Sequence, residues 1–119
     1  MTKYANPLLM SLARRLPPLV VLHHRGRRSG REFNSPVQAY RTQNGTFLVG
    51  LAYHRDANWA LNMLAAGGGS MTRAGARYAL SRPRRRSAEA RADLPRPVAA
   101  LMRSLKIDDF IEFDATPAS

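Results

Sequence analysis

The chain has 119 residues, no cysteine, 45% apolar residues and a formal net charge of +11. Those values describe a single globular domain and exclude disulfides, thiolate chemistry and wholesale disorder. No apolar stretch approaches the roughly 20 residues that span a bilayer, and the start lacks the features of a secretory signal, so a cytoplasmic protein is expected.

Residues 4–16, "YANPLLMSLARRL", put Leu8, Leu9, Leu12 and Leu16 on one face at helical spacing. This predicts an amphipathic helix whose leucine stripe packs on the rest of the fold, ended by Pro17-Pro18. "LVVLHH" (19–24) predicts a strand, an arginine-glycine turn follows, and "SPVQAYRT" (35–42) predicts the next strand. Asn44-Gly45 is a hairpin signal, and "TFLVGLAY" (46–53) is the returning strand. In "DANWALNMLAAGGG" (56–69), Asp56 is a candidate N-cap, Trp59, Met63 and Ala66 follow a helical period, and the glycines stop the helix. Two short strands are expected around Ala74-Gly75 within 70–82, then a basic connector over 83–93 without regular structure. "PRPVAALMRSLKI" (95–107) predicts a helix with proline at its start, and "DDFIEFD" (108–114) a last strand. The order implies an α+β fold, a small and largely antiparallel β-barrel, closed or split, with three covering helices.

Of nineteen basic residues only two are lysine, so the charge is carried by arginine, which suits bidentate contact with phosphate or carboxylate. The densest cluster is "RGRRSGR" (25–31). Gly26 and Gly30 let the chain turn tightly, Ser29 adds a hydroxyl, and Arg27, Arg28 and Arg31 add charged forks. With backbone N–H groups free of a strand ladder, this turn has the ingredients of an anion site. The pattern is neither a Walker A loop nor a dinucleotide-binding fingerprint. Elsewhere, "SRPRRR" (81–86) reads as a solvated charge run. His23 and His24 have no third ligand at metal spacing, so no metal site is expected. No nucleophile–base–acid arrangement is recognisable.

"VLHHRGRRSGREFNSPV", then "NGTFLVGLAY", "DANWALNMLAAGGG" and "GARY" together resemble the deazaflavin (coenzyme F420)-dependent nitroreductase family, in the flavin/deazaflavin split-barrel group of actinobacterial oxidoreductases. The likeness covers roughly residues 19–82. It implies that Arg27, Arg28, Ser29 and Gly30, with Arg31, hold the coenzyme's phosphate and acidic tail. It also implies that Pro36, Leu51, Ala52 and Tyr53 lie along the deazaflavin ring and that Trp59 and Asn62 belong to the helix beside it. Tyr53 is the candidate proton donor. The chain departs from the family at Phe33, where many members carry arginine, and at His54-Arg55, in place of a glycine pair.

The implied activity is hydride transfer from reduced F420 to a quinone, a nitro compound or an unsaturated lipophilic acceptor. FMN is the alternative cofactor. A non-enzymatic deazaflavin or flavin carrier is the first rival reading. A nucleic-acid-binding module is the second, although the aromatics do not interleave with the arginines as a stacking platform requires. The resemblance also implies a homodimer, and the basic amphipathic first helix suits peripheral contact with a membrane surface.

Overall fold

The computed structural model describes residues 7–51 and 57–118. Six strands, β1 (Leu19–Arg25), β2 (Glu32–Arg41), β3 (Phe47–Gly50), β4 (Gly68–Arg73), β5 (Ala76–Arg86) and β6 (Phe110–Pro117), close an antiparallel barrel in the order β1-β2-β3-β6-β5-β4. Three α-helices and a 3-10 helix connect or cover them: α1 (Pro7–Arg15), α2 (Asn58–Ala66), the 3-10 helix Ala88–Asp93 and α3 (Arg96–Ser104).

Alternation along the strands builds two cores. Val20 and Leu22 of β1, Ala39, Phe47, Val49, Met71, Leu80, Ile111 and Phe113 fill the barrel interior, where Met63 and Ala60 of α2 join them. The opposite face of β3 and β6 presents Leu48 and Phe110, which are covered by Ala90, Leu94, Met102 and Ile107 from the 3-10 helix and α3. A barrel of this size needs its strands sealed on the outside as well, and the β5–β6 connection supplies the seal.

Helix α2 links β3 to β4 and packs on β1, β4 and β5, which closes the barrel at the end that carries the arginine turn. It ends at Gly67, whose φ of 78° is the left-handed cap that glycine adopts without strain. Its N-cap is Ala57, with no side-chain cap; the Asp56 candidate lies outside the described residues.

Several expectations change. β2 begins at Glu32, three residues earlier than expected, because Arg25↔Glu32 and His24↔Phe33 continue the β1 pairing down to the turn. The β3 strand stops at Gly50, and Leu51 instead bonds Asp109 through its N–H at 2.8 Å. The 83–93 connector is structured. β5 runs through it to Arg86, with a bulge between Ser81 and Arg84 that absorbs Arg82 at φ 51° and Pro83, and the 3-10 helix follows. The last strand starts at Phe110 and extends to Pro117.

Of the expected leucine stripe, Leu8, Leu12 and, just past the end of α1, Leu16 are exposed, whereas Ala13 is fully buried where α1 lies on β1, β4 and β2. The small side chain of Ala13 lets the helix approach the strands closely there. The first residues of the predicted helix, 4–6, lie outside the described residues.

Candidate functional site

The arginine turn is held tightly by its own backbone. The N–H of Gly26 donates to the Arg31 carbonyl at 2.8 Å and the N–H of Gly30 to the Gly26 carbonyl at 2.9 Å. The Arg31 N–H donates to Ser29 Oγ at 3.1 Å, and Gly30 takes φ 73°. A Cβ on Gly26 would stand 2.7 Å from Ser29 Oγ and 2.9 Å from the Phe33 ring, so only glycine fits there. The N–H groups of Gly26, Arg27, Gly30 and Arg31 stand outside the strand ladder and are engaged within the turn or by Asn62, because a turn this tight satisfies its own donors first.

What the turn offers outward is guanidinium. Arg25 donates to the Gly30 carbonyl at 2.8 Å, and Arg31 lies over Phe33 at 5.8 Å from its centroid. Arg28 is exposed and has no partner among the described residues.

Arg27 is tied to α2. Asn62 Oδ1 accepts from the Arg27 backbone N–H at 3.1 Å and from Arg27 Nη1 at 2.8 Å. Asn58 Oδ1 accepts from Nη2 at 3.4 Å. Asn62 is buried and in turn donates through Nδ2 to His24 Nδ1 at 3.1 Å, while His24 Nε2 lies 2.9 Å from Ser35 Oγ. An acceptor role for Nδ1 places the proton on Nε2, so His24 is neutral and donates to Ser35. Burial first, and then the nearby His23, lower its pKa to about 4.

On the outer side of β2 lies a cavity of about 500 Å³. Pro36, Gln38 and Tyr40 of β2 form one wall, Leu51 and Trp59 a second, and Leu101, Met102 and Leu105 of α3 the third. Its walls are mostly apolar, as ligand cavities usually are. Among the described lining residues are the polar side chains of Tyr40, whose hydroxyl donates to Gln38 Oε1 at 2.7 Å, and of Gln38 itself. Burial raises the Tyr40 pKa, so this phenol is a neutral donor.

The expected site residues therefore form two groups. Pro36, Leu51 and Trp59 line the cavity; Arg27, Arg28, Ser29, Gly30 and Arg31 form the turn. Asn62 lies in neither lining, because its amide is spent on Arg27 and His24. Ala52 and Tyr53, including the expected proton donor, lie outside the described residues. The two groups are joined by α2, on which Trp59 and Asn62 are three residues apart, and by β2, which follows Arg31 directly and carries Pro36 roughly 13 Å beyond its first residue Glu32 at about 3.3 Å per residue. Tyr40 and Gln38 were missed as site residues. Their period-2 placement on the Pro36 face was the available signal.

The charge run at 81–86 is corrected too. Glu112 is buried at 3% exposure and accepts from Arg86 Nη1 and, at 2.5 Å, from Thr46 Oγ1, with Arg84 Nη2 at 3.4 Å. Burial alone would raise its pKa, but these hydrogen bonds and charges outweigh it and hold the carboxyl below its ordinary value. Arg84 and Arg82 reach Asp114, and Arg86 reaches Glu89 and Asp93. A carboxylate outside the barrel attracts these arginines inward, which the sequence spacing did not disclose.

No protein-family profile and no curated protein matches the chain. Three solved structures share its fold. The protein Atu2129 from Agrobacterium tumefaciens, of unknown function, is similar over 99% of this chain at 19% identity and a TM-score of 0.59, and the chain spans 59% of that protein. A structure described as a domain-swapped dimer is similar over 82% of this chain and 80% of its own, at 17% identity and a TM-score of 0.55. In a third, the likeness covers all of this chain and 85% of the other, at 17% identity and a TM-score of 0.60. At these identities the likeness establishes the fold.

Proposed function

We propose that the chain is a split-barrel oxidoreductase that binds reduced coenzyme F420 and directs its hydride to an organic acceptor. The observation that supports this reading most is the pairing of an apolar cavity with an arginine turn through one helix, Trp59 serving the first and Asn62 the second.

The residues present fit such a group. A flat ring needs apolar walls, and Pro36, Leu51 and Trp59 supply them. A long anionic tail needs cations at a distance from the ring, and Arg28, with Arg27 and Arg31 beside it, supplies them. When bound, the reduced deazaflavin supplies the hydride. The chain's own task is to orient ring and acceptor, exclude water from the cavity and offer a proton. Tyr40, held neutral with its hydroxyl on Gln38, is a donor within that cavity, beside the sequence candidate Tyr53.

The proposal includes a homodimer and peripheral contact with anionic lipid through α1, on which Leu8 and Leu12 are exposed with Arg15, followed directly by exposed Leu16. No helix among the described residues is long and apolar enough to cross a membrane.

Parallel titrations of F420 and FMN, followed through the emission of Trp59, test the cofactor. Trp59 is the single tryptophan and lines the cavity. F420 should quench or shift it with the tighter affinity, weakening as salt rises. Tighter FMN binding, or an unchanged emission with both, overturns the assignment. Oxidation of reduced F420 by menadione then separates an enzyme from a carrier.

A further inference from the structure

We propose that the end of the barrel opposite the arginine turn is a second anion site, in which Arg41 and Arg73 hold a phosphate group beside the Phe47 ring. β1 runs from Leu19 at this end to Arg25 at the turn, about 20 Å away at 3.3 Å per residue. β4 is antiparallel to β1, with Val21 opposite Thr72, so Arg73 is level with the start of β1.

Both arginines point inward. Arg41 is directly paired with Phe47, and paired residues share a face; Ala39, two residues back on the same face, is buried in the interior core. Arg73 follows Met71 by two residues, and Met71 is fully buried in the same core. The Arg41 guanidinium carbon is 4.8 Å from the Phe47 ring centroid and that of Arg73 is 5.3 Å from it. The two cations are therefore no more than about 10 Å apart.

One aromatic ring attracts a cation, but two cations on one ring repel each other. Elsewhere the fold answers half-buried arginines with acid: Arg84 and Arg86 meet Glu112, and Arg91 meets Asp108. Among the described residues neither Arg41 nor Arg73 has an acidic partner. Arg73 Nε is buried and has no hydrogen-bond partner among the described residues. Buried donors in native proteins are satisfied, so an orphaned guanidinium N–H beside a second guanidinium marks the place of an acceptor that carries negative charge. Arg41 is exposed, which leaves this end open to solvent, and the half-buried Tyr78, 6.2 Å from Phe47, flanks it with a second ring.

Phosphate esters in solution and the headgroups of acidic lipids present the same chemistry, and the test separates them. Inorganic phosphate is titrated into the full chain while the arginine Nε–Hε resonances are followed by NMR, against chloride at equal ionic strength. A saturable shift of the Arg73 signal with phosphate, weakened at least fivefold in Arg41→Gln and unchanged in Arg28→Ala, supports the site. A shift that chloride reproduces, that never saturates, or that Arg41→Gln leaves intact overturns it. Arg73→Lys, which keeps the charge but lacks the orphaned N–H, should also weaken binding and serves where Arg73→Gln does not fold. Co-sedimentation with phosphatidylglycerol vesicles, lost in Arg41→Gln and absent with phosphatidylcholine, assigns the phosphate to a lipid. Phosphate binding without sedimentation assigns it to a soluble ester.

Discussion

Asn62 holds Arg27 twice, through the backbone N–H and through Nη1, so one buried amide fixes both the path of the arginine turn and the direction of its first side chain. Asn62→Leu keeps the volume and removes every one of those bonds. It should lower stability by about 2–3 kcal/mol, since His24 Nδ1 and the Arg27 N–H lose their partner together. Urea unfolding checks the magnitude, and a loss below about 0.5 kcal/mol would show that the bond is incidental.

His24 links acid to stability. Its folded pKa of about 4 lies below the ordinary 6.5, so the unfolded chain binds the extra proton first. The stabilisation is complete above pH 6.5 and is lost as pH falls from 6.5 towards 4, by at most about 3.5 kcal/mol at ~1.4 kcal/mol per pKa unit. Glu112 also loses stabilisation in acid, but only below its ordinary value of 4.5. Denaturation midpoints between pH 6.5 and 4.5 therefore isolate the histidine. His24→Gln should flatten the slope in that window, and an unchanged slope would place the acid sensitivity elsewhere.

Removing a partner of Glu112 should cost more than removing its charge. Arg86→Met leaves a carboxylate with 3% exposure short of its strongest donor, and a loss of about 3–5 kcal/mol is expected. Glu112→Gln leaves arginines that still reach water and Asp93 or Asp114, so about 1–3 kcal/mol is expected. Thermal melts of both variants test the order. Equal losses would mean that Arg84 alone satisfies the carboxylate.

The two turn arginines should separate in their effects on ligand binding. Arg28→Ala removes a cation with no internal partner and should weaken F420 by about 1.5–3 kcal/mol with stability unchanged. Arg27→Ala should weaken binding and stability together, because it also empties the Asn62 carbonyl. Calorimetric titrations beside melting curves distinguish the pair. Unaltered affinity in both variants at low salt would remove the anionic tail from this turn.

Much of the barrel was legible. The β-branched apolar run at 19–24, alternation over 35–42 and the Asn44-Gly45 turn located β1, β2 and their hairpin neighbour, and the Gly67 stop located the end of α2. The chain between 83 and 93 was not, because Pro83 and a run of arginines signal a break unless the acids that receive them are known, and Glu112 and Asp114 lie about 30 residues further on. The arginine turn was read correctly as a tight turn, but which of its N–H groups it uses itself was not legible. Composition shows which donors exist, while only the closed hydrogen-bond set shows which remain. Asn62 illustrates the same limit: the family resemblance placed it on the helix with Trp59, but its buried amide serves the turn rather than the cavity.

The strand order has a consequence for synthesis. β6, the last strand in the chain, lies between β3 and β5. Until residues 110–117 leave the ribosome, the nascent sheet is an open ribbon with two unpaired margins, each able to accept a strand from a neighbouring chain. Covering residues of the outer core, Ala90, Leu94, Met102 and Ile107, precede that strand and have no Phe110 to pack on before it arrives. Closure is thus a single late event that completes the ladder and the outer core together, and any delay in translation over this stretch prolongs the interval in which the protein is most exposed to misassembly.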